Sequence, residues 1–349
     1  MKTIVHILNT GSFSGAENVV ITLIRQMTKQ YEGKYHFVYV ALEGCIEEYL
    51  KEEDITYYPL KKMSLETIQK MLKDVKPNVI HAHDYRASML TSLVHGKIPM
   101  ICHLHNNQLD LKKLSLKSLL YLSTTFQYKK IITVSSAVND EYVFGDLISD
   151  KIQVLGNPID TQRIIKRASE GSGHAFDIVF LGRLSIPKNP IRFINIMNQL
   201  LSRNPNLEIA MIGTGELETE CRALIHDLGL EKQIHLLGFQ KNPYVILKNA
   251  KLLCVTSDWE GFGLMVVEAF ALGLPVVSTG VGGMKDLITE ECGCICKSND
   301  AFIKKIELIL QDDVYRKRLS DGAKKRSQKL ENIEEYARNV HRIYEDVKG

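Results

Sequence analysis

The sequence predicts an α/β protein built from two doubly wound parallel-sheet domains. Three observations carry this. Short β-branched runs alternate with helical patterns, they fall into two sets, and a polar Gly/Ser-rich stretch separates the sets. The length of 349 residues agrees, since domains average roughly 150 residues. The first set of strand-like runs is 4–8, 37–41, 79–82, 100–103 and 131–134. The second is 178–180, 208–212, 234–237, 252–255 and 275–278. Between them, Ser169-Glu170-Gly171-Ser172-Gly173-His174 reads as a linker. The expected domains are therefore 1–168 and 175–330, with 169–174 as the linker. A closing helix over 331–349 follows, with Ile333, Tyr336, Val340, Ile343, Tyr344 and Val347 near helical spacing. It is expected to pack back toward the N-terminal domain.

Composition narrows the function. With 45% hydrophobic and 24% charged residues the chain matches soluble globular proteins, which excludes fibrous and disordered classes. Forty-four Lys+Arg against 41 Asp+Glu leave a formal +3, too balanced for a protein that neutralises many nucleic-acid phosphates. Met1 to Leu8 read directly as a strand, so no leader segment is expected. The longest apolar candidate, 263–277, is interrupted by Glu268 and Pro275, short of the ~18 residues a spanning helix needs. Seven cysteines, mostly inside apolar runs, suggest reduced thiols. The expectation is a cytoplasmic protein, soluble or peripheral on the inner face of a membrane.

In open α/β sheets ligands bind beyond the carboxyl ends of the strands. There the first strand runs into Asn9 to Asn18, a Gly-containing turn before a helix, which offers backbone N–H groups to an anion. Its spacing is not the dinucleotide fingerprint. The second domain opens with Val179-Phe180-Leu181-Gly182-Arg183, and Lys188-Asn189-Pro190 follows. A guanidinium and an ammonium five residues apart on a strand-end loop suit a diphosphate; the bland alternative is two solvated surface cations. The most informative stretch is Thr256 to Phe270. It places Glu260 on a glycine-flanked loop and Glu268 inside the following helix, with the amides of Phe262, Gly263 and Leu264 near the helix start. Carboxylates accept from sugar hydroxyls, and helix-start amides favour phosphate. A purely structural role for Glu268, tethering helix to loop, stays open.

These segments together resemble glycosyltransferase family 4. The resemblance rests on Glu260 and Glu268 as a Glu-x7-Glu pair, on Gly182-Arg183 with Lys188-Asn189-Pro190, and on Ser14-Gly15-Ala16-Glu17. Leu155 to Asp160 and Ile212-Gly213-Thr214-Gly215-Glu216-Leu217 complete it, in order along nearly the whole chain. It implies the GT-B fold, two Rossmann-like domains facing across a cleft, and transfer from a nucleotide-activated sugar with retention of anomeric configuration and without metal. It makes Arg183 and Lys188 the diphosphate clamp and Gly15 a backbone contact to the donor. Glu268 would hold the ribose hydroxyls and Glu260 the sugar hydroxyls, while the amides of Phe262, Gly263 and Leu264 would serve sugar and phosphate. Gly238 and Phe239 would lie at the nucleobase. Of the pairs His81/His83 and His103/His105, the resemblance favours His105 as the sugar-facing histidine, with His103 as the fallback.

Metal ligation by His103 and His105 is geometrically possible, because residues two apart in a strand share a face. No carboxylate or Cys completes a set nearby, and there is no Asp-x-Asp in the sequence, so no metal and no bound cofactor are expected. Cys292, Cys294 and Cys296 read as packed small hydrophobes. In the segment 109–122, Leu111, Leu114, Leu119 and Leu122 are expected to share a helical face, with Lys113 and Lys117 opposite. Such a helix can lie on an anionic leaflet or simply pack on the core.

The leading expectation is a metal-independent hexosyl- or N-acetylhexosaminyl-transferase. It would use a UDP-sugar as co-substrate and a saccharide or lipid-linked saccharide as acceptor, in bacterial surface polysaccharide or capsule synthesis. The alternatives are a sugar-nucleotide epimerase or phosphorylase of the same fold, and a non-catalytic sugar-nucleotide-binding partner of another transferase.

Overall fold

A computed structural model describes residues 1–105 and 111–347. The chain divides into two compact units, Met1–Pro158 with Asn332–Gly349, and Ile159–Glu331.

Unit 1 alternates strand and helix: β1 (Lys2–Ile7), α1 (Gly15–Gln30), β2 (Tyr35–Leu42), α2 (Ile46–Glu52), β3 (Thr56–Leu60), α3 (Leu65–Val75), β4 (Val79–His83) and α4 (Tyr85–Ser92). Then come β5 (Met100–Leu104), α5 (Leu116–Thr125), β6 (Tyr128–Thr133), α6 (Ser136–Asp140) and β7 (Ile152–Val154). The sheet order is β3-β2-β1-β4-β5-β6-β7, parallel throughout. Its winding reverses between β1 and β4, where a doubly wound sheet places its ligand crevice. The central strands are apolar and buried on both faces, as parallel strands covered by helices require.

Unit 2 comprises α7 (Thr161–Ala168), β8 (Ile178–Leu181), α8 (Pro190–Leu201), β9 (Ile209–Ile212), α9 (Glu218–Asp227), β10 (Ile234–Gly238) and α10 (Tyr244–Lys248). It continues with β11 (Leu252–Val255), α11 (Leu264–Ala271), β12 (Val276–Ser278), α12 (Met284–Leu287), β13 (Gly293–Ile295), α13 (Asn299–Gln311) and α14 (Asp313–Leu330). The order β10-β9-β8-β11-β12-β13 is again parallel, with the reversal between β8 and β11.

The division between units falls at 158/159, earlier than the expected 168. Asp160 caps α7, accepting from the Arg163 N–H at 2.9 Å, and Ile164 and Ala168 bury against Tyr244, Leu247 and Phe270. The 169–174 stretch is thus irregular chain inside unit 2, because buried contacts set the division and composition does not. The last helix, α15 (Ile333–Asp346), belongs to unit 1, where Tyr336, Val340 and Tyr344 share a core with Val20, Leu23 and Ile24 of α1.

The segment 109–122 departs from expectation. Leu109 lies outside the described residues, and the helix begins only at Leu116, because Ser115 and Ser118 form a capping box. Leu111 is buried before it, while Leu114 and Leu119 are exposed. The inward face carries Ser118, Tyr121, Thr124 and Thr125, leaving Leu114, Leu116, Leu119, Leu120 and Phe126 outside at 45–77% exposure. The hydrophobic stripe therefore points to solvent, the reverse of a core-packed helix.

No described helix is long and apolar enough to cross a membrane. All seven cysteines are free thiols. Cys292 packs in one core cluster, and Cys294 and Cys296 in the cluster on the other side.

Candidate functional site

In unit 2 the residues singled out in the sequence gather at the carboxyl ends of β8 to β11, around the reversal. Two glycines bring the loops together. A Cβ on Gly213, after β9 with φ +134°, would lie 2.0 Å from the Gly182 carbonyl oxygen, and one on Gly215 would lie 2.3 Å from that of Leu184. This approach lets the Leu184 N–H donate to the Thr214 carbonyl at 3.0 Å and the Leu217 N–H donate to the Leu184 carbonyl at 2.9 Å. Arg183 is thereby fixed at its backbone while its side chain stays 71% exposed, with Nε 3.5 Å from Glu216 Oε2. The Gly213 N–H in turn donates to the Gly238 carbonyl at 2.8 Å, so the end of β10 joins the same cluster. There Gly238 has φ +65° and Phe239 is half exposed.

The second loop turns through Ile186–Lys188 into Asn189, a left-handed residue at φ +47° whose side chain caps α8 by accepting from the Arg192 N–H. Asn189 Nδ2 donates to Asp258 at 2.9 Å, the Asp258 N–H donates to the Pro187 carbonyl at 2.9 Å, and Thr256 Oγ1 donates to the Asn189 carbonyl at 3.0 Å. These bonds tie the β8 loop to the β11 loop. Lys188 Nζ then donates to Glu260 Oε2, with side chains only 19% and 10% exposed. The sequence pattern gives these two residues separate tasks, phosphate for one and sugar hydroxyls for the other; the fold makes them partners. Glu260 is held close to Gly282, whose absent Cβ would lie 1.7 Å from the Glu260 carbonyl oxygen.

Gly263, at φ +95°, starts α11 with no side-chain cap, leaving the positive end of the helix to whatever lies beyond it. One turn on, Glu268 Oε1 accepts from the Tyr244 hydroxyl at 3.1 Å, and the Arg167 guanidinium stands 5.5 Å from the Tyr244 ring centre. Burial pushes the Glu268 carboxyl above the usual range, against the opposing pull of the Tyr244 bond and the Arg167 charge. Tyr244 and Arg167 went unnoticed in the sequence, because neither belongs to a local motif, and Glu216 stood in the Ile212–Leu217 motif without a role of its own. A separate cavity of about 430 Å³ behind α7 and α14, lined in part by Lys166, Lys248 and Lys324, contains none of these site residues.

In unit 1, Gly15 is the first residue of α1, and the preceding Ser14 donates its hydroxyl to the buried Glu17 carboxylate. At the β1/β4 reversal lies a feature the sequence did not expose. His6 of β1, His81 and His83 of β4, His103 of β5 and His105 just after β5 stack together, all buried. Burial holds His6 and His105 down to about 3, and His81, His83 and His103 well below their ordinary value, so all five are neutral imidazoles at pH 7. The sequence showed no carboxylate or Cys to complete a metal-binding set around His103 and His105; in space a third histidine, His83, joins them, and His6, His81 and His83 form a second triad. In that second triad, however, every ring nitrogen is already bonded to another ring or to Tyr344. Beside the cluster Asp84, at φ +81°, caps α4, and burial pushes its carboxyl up to about 6.

Residues 13–163 match the family described as Glycosyltransferase Family 4, and residues 162–326 match Glycosyl transferases group 1. The chain belongs to these glycosyltransferases. It is 26% identical, over 95% of each chain, to a Campylobacter jejuni enzyme named as an α-1,4-N-acetyl-D-galactosaminyltransferase acting on GalNAc-GalNAc-diNAcBac-PP-undecaprenol. It is 25% identical to an Escherichia coli UDP-Gal:α-D-GlcNAc-diphosphoundecaprenol α-1,3-galactosyltransferase, over 72% of this chain and 71% of the relative. Among solved structures, Anabaena HepE in complex with UDP-glucose superposes with a TM-score of 0.84 at 18% identity, covering 99% of this chain and 100% of that chain. Sucrose-phosphate synthase from Thermosynechococcus elongatus superposes at 0.76 with 16% identity, covering 99% of each. The glycosyltransferase thus has the GT-B fold, two Rossmann-like α/β domains.

Proposed function

We propose that this glycosyltransferase moves a hexose or N-acetylhexosamine from a UDP-sugar to a hydroxyl of a lipid-linked saccharide, with retention at the anomeric carbon, in bacterial surface polysaccharide synthesis. The observation that carries the reading is the Lys188–Glu260 pair, held on two cross-braced loops at the unit 2 reversal beside Arg183. When the bond from the anomeric carbon to the diphosphate oxygen breaks, negative charge builds on the departing nucleotide. Arg183, Lys188 and the start of α11 supply positive charge there, which is electrostatic stabilisation of a leaving group. Glu260, freed as Lys188 turns to phosphate, accepts from sugar hydroxyls. Glu268, set by Tyr244, accepts from the ribose, and Gly238 with Phe239 borders the base. In unit 1, Gly15 offers its amide and His105 a neutral ring nitrogen. No metal is required in this scheme, in keeping with the lack of an Asp-x-Asp sequence.

The lipid-linked acceptor draws support from the named activities of the Campylobacter and Escherichia relatives. Attachment to the inner leaflet draws support from the outward leucines of α5 beside exposed Lys113 and Lys117. Lys112, in the same segment, pairs with Glu141 at 2.6 Å.

The test is nucleotide release from a panel of UDP- and GDP-sugars, with and without a polyprenyl-diphosphate saccharide and with and without a chelator. Arg183→Ala and Lys188→Ala should each lose on the order of a hundredfold in turnover with the fold intact. Near-normal turnover in both refutes the clamp. Conversion of donor without acceptor would indicate an epimerase instead.

A further inference from the structure

The histidine cluster of unit 1 has a connectivity beyond mere packing. From His105, Nε2 lies 2.9 Å from His83 Nδ1, and His83 Nε2 lies 2.8 Å from His6 Nδ1. His6 Nε2 is 3.3 Å from the Tyr344 hydroxyl, which is 2.8 Å from His81 Nδ1. His81 Nε2 is 3.2 Å from His103 Nδ1. Six rings therefore make one unbranched line, and its two ends, His105 Nδ1 and His103 Nε2, are buried without a hydrogen-bond partner among the described residues.

A neutral imidazole has one N–H and one lone pair, and a phenol donates once and accepts. Along such a line each ring that donates forward must accept from behind. Only two arrangements satisfy every link and also use the buried Tyr344 O–H: all five histidines protonated at Nε2, or all five at Nδ1. Any mixture sets two N–H groups or two lone pairs face to face, or makes the phenol accept twice and strands its own hydrogen, in a buried place where an unmade hydrogen bond is costly. A charged ring would likewise break the direction, and burial holds all five neutral.

We propose that His6, His81, His83, His103, His105 and Tyr344 act as a single-direction tautomer chain, so that the open nitrogen of His105 and the open nitrogen of His103 always have opposite hydrogen-bonding character. His105 consequently offers its ligand a fixed donor or a fixed acceptor and not a mixture, and Tyr344, from α15, is a positioning residue for it. That last consequence rests on the reading of His105 as a sugar-facing residue; the chain itself does not.

The experiment is 15N-histidine labelling of the full chain and long-range 1H–15N correlation at pH 7, assigned by single His→Asn variants. The five rings are expected to be neutral and to share one tautomer. In Tyr344→Phe the line is cut at the phenol. A lone pair facing the new apolar ring is less costly than an unpaired N–H, so His6, His83 and His105 should adopt Nδ1–H while His81 and His103 adopt Nε2–H. The two segments then have opposite tautomers. Mixed tautomers in the wild-type protein, or one tautomer shared by all five rings in Tyr344→Phe, would overturn the proposal. The wild-type spectrum decides it even if the variant folds poorly. Turnover of His105→Ala separately decides whether that residue meets the sugar, since lost activity there says nothing about the chain and a shared tautomer says nothing about activity.

Discussion

Acid should unfold unit 1 well before it harms unit 2, and the histidine cluster sets the size of the effect. His6 and His105 are held at about 3 against an ordinary 6.5. The unfolded chain therefore binds more protons than the folded one throughout that window, and stability falls as pH falls below 6.5. A tenfold difference in proton affinity between the folded and unfolded chain is worth about 1.4 kcal/mol, so each of these rings contributes up to about 5 kcal/mol at neutral pH that acid removes. At about pH 5 the loss is roughly 2 kcal/mol for each of these two rings, about 4 kcal/mol together and a large part of a domain's stability, and His81, His83 and His103, held well below their ordinary value, add to it in the same direction. Asp84 works the other way. Its carboxyl is raised from 3.8 to about 6, so the folded state holds the extra proton between these values, and acid returns about 1 kcal/mol by about pH 5. The net expectation is a cooperative acid transition of unit 1 ahead of that of unit 2, with net uptake of protons. Amide hydrogen exchange on peptides from β1, β4 and β5 reads unit 1. The fluorescence of Trp259, the single tryptophan, reads unit 2, which buries no histidine among its described residues. An acid transition of unit 1 no earlier than that of unit 2, or no net proton uptake, would refute the reasoning.

Other outcomes follow from the same geometry. Gly213→Ala should destabilise unit 2 by about 3 kcal/mol in a denaturant titration, since the new Cβ meets the Gly182 carbonyl at 2.0 Å in a backbone region glycine prefers. Arg183 would be displaced with that loop, so nucleotide binding should weaken in calorimetry. Tyr244→Phe removes the bond that holds the Glu268 carboxyl down, which should raise its pKa further and weaken UDP binding about tenfold at pH 6. Unchanged affinity would separate Glu268 from the ribose. Glu reversal at Lys113 and Lys117, together with Leu116→Ser and Leu120→Ser, should abolish co-sedimentation with anionic vesicles; persistence would remove the leaflet proposal.

The strands that the sequence pattern leaves out have a common location. β3 and β7 are the two edges of the unit 1 sheet, and β13 is an edge of the unit 2 sheet. An edge strand is half exposed and needs no continuous apolar run. β3 contains Pro59, tolerated at an edge, while β7 and β13 are three residues each. Central strands such as β4 and β11, buried on both faces, were legible for the opposite reason. In the site, Arg183, Lys188, Glu260 and Glu268 stood out because each lies in a short pattern after a strand. The histidine line did not, because His6 and Tyr344 are 338 residues apart and only the order β1-β4-β5 and the return of α15 bring them together. On α5 the leucines misled because Ser115, and not the apolar spacing, decides where the helix begins.

The return of α15 has a consequence for synthesis. Unit 2 is encoded as an insertion within unit 1, and the helix that supplies Tyr344 and Val340 to the unit 1 core leaves the ribosome only after unit 2. Domains emerging in chain order usually fold from the N-terminus onward; here the second unit can complete its core while the first still waits for its final helix. Until α15 arrives, His6 and His81 lack the phenol that joins them. A truncation just after Glu331 should therefore leave unit 2 whole and strand the opening 158 residues as the chaperone-dependent part of the chain.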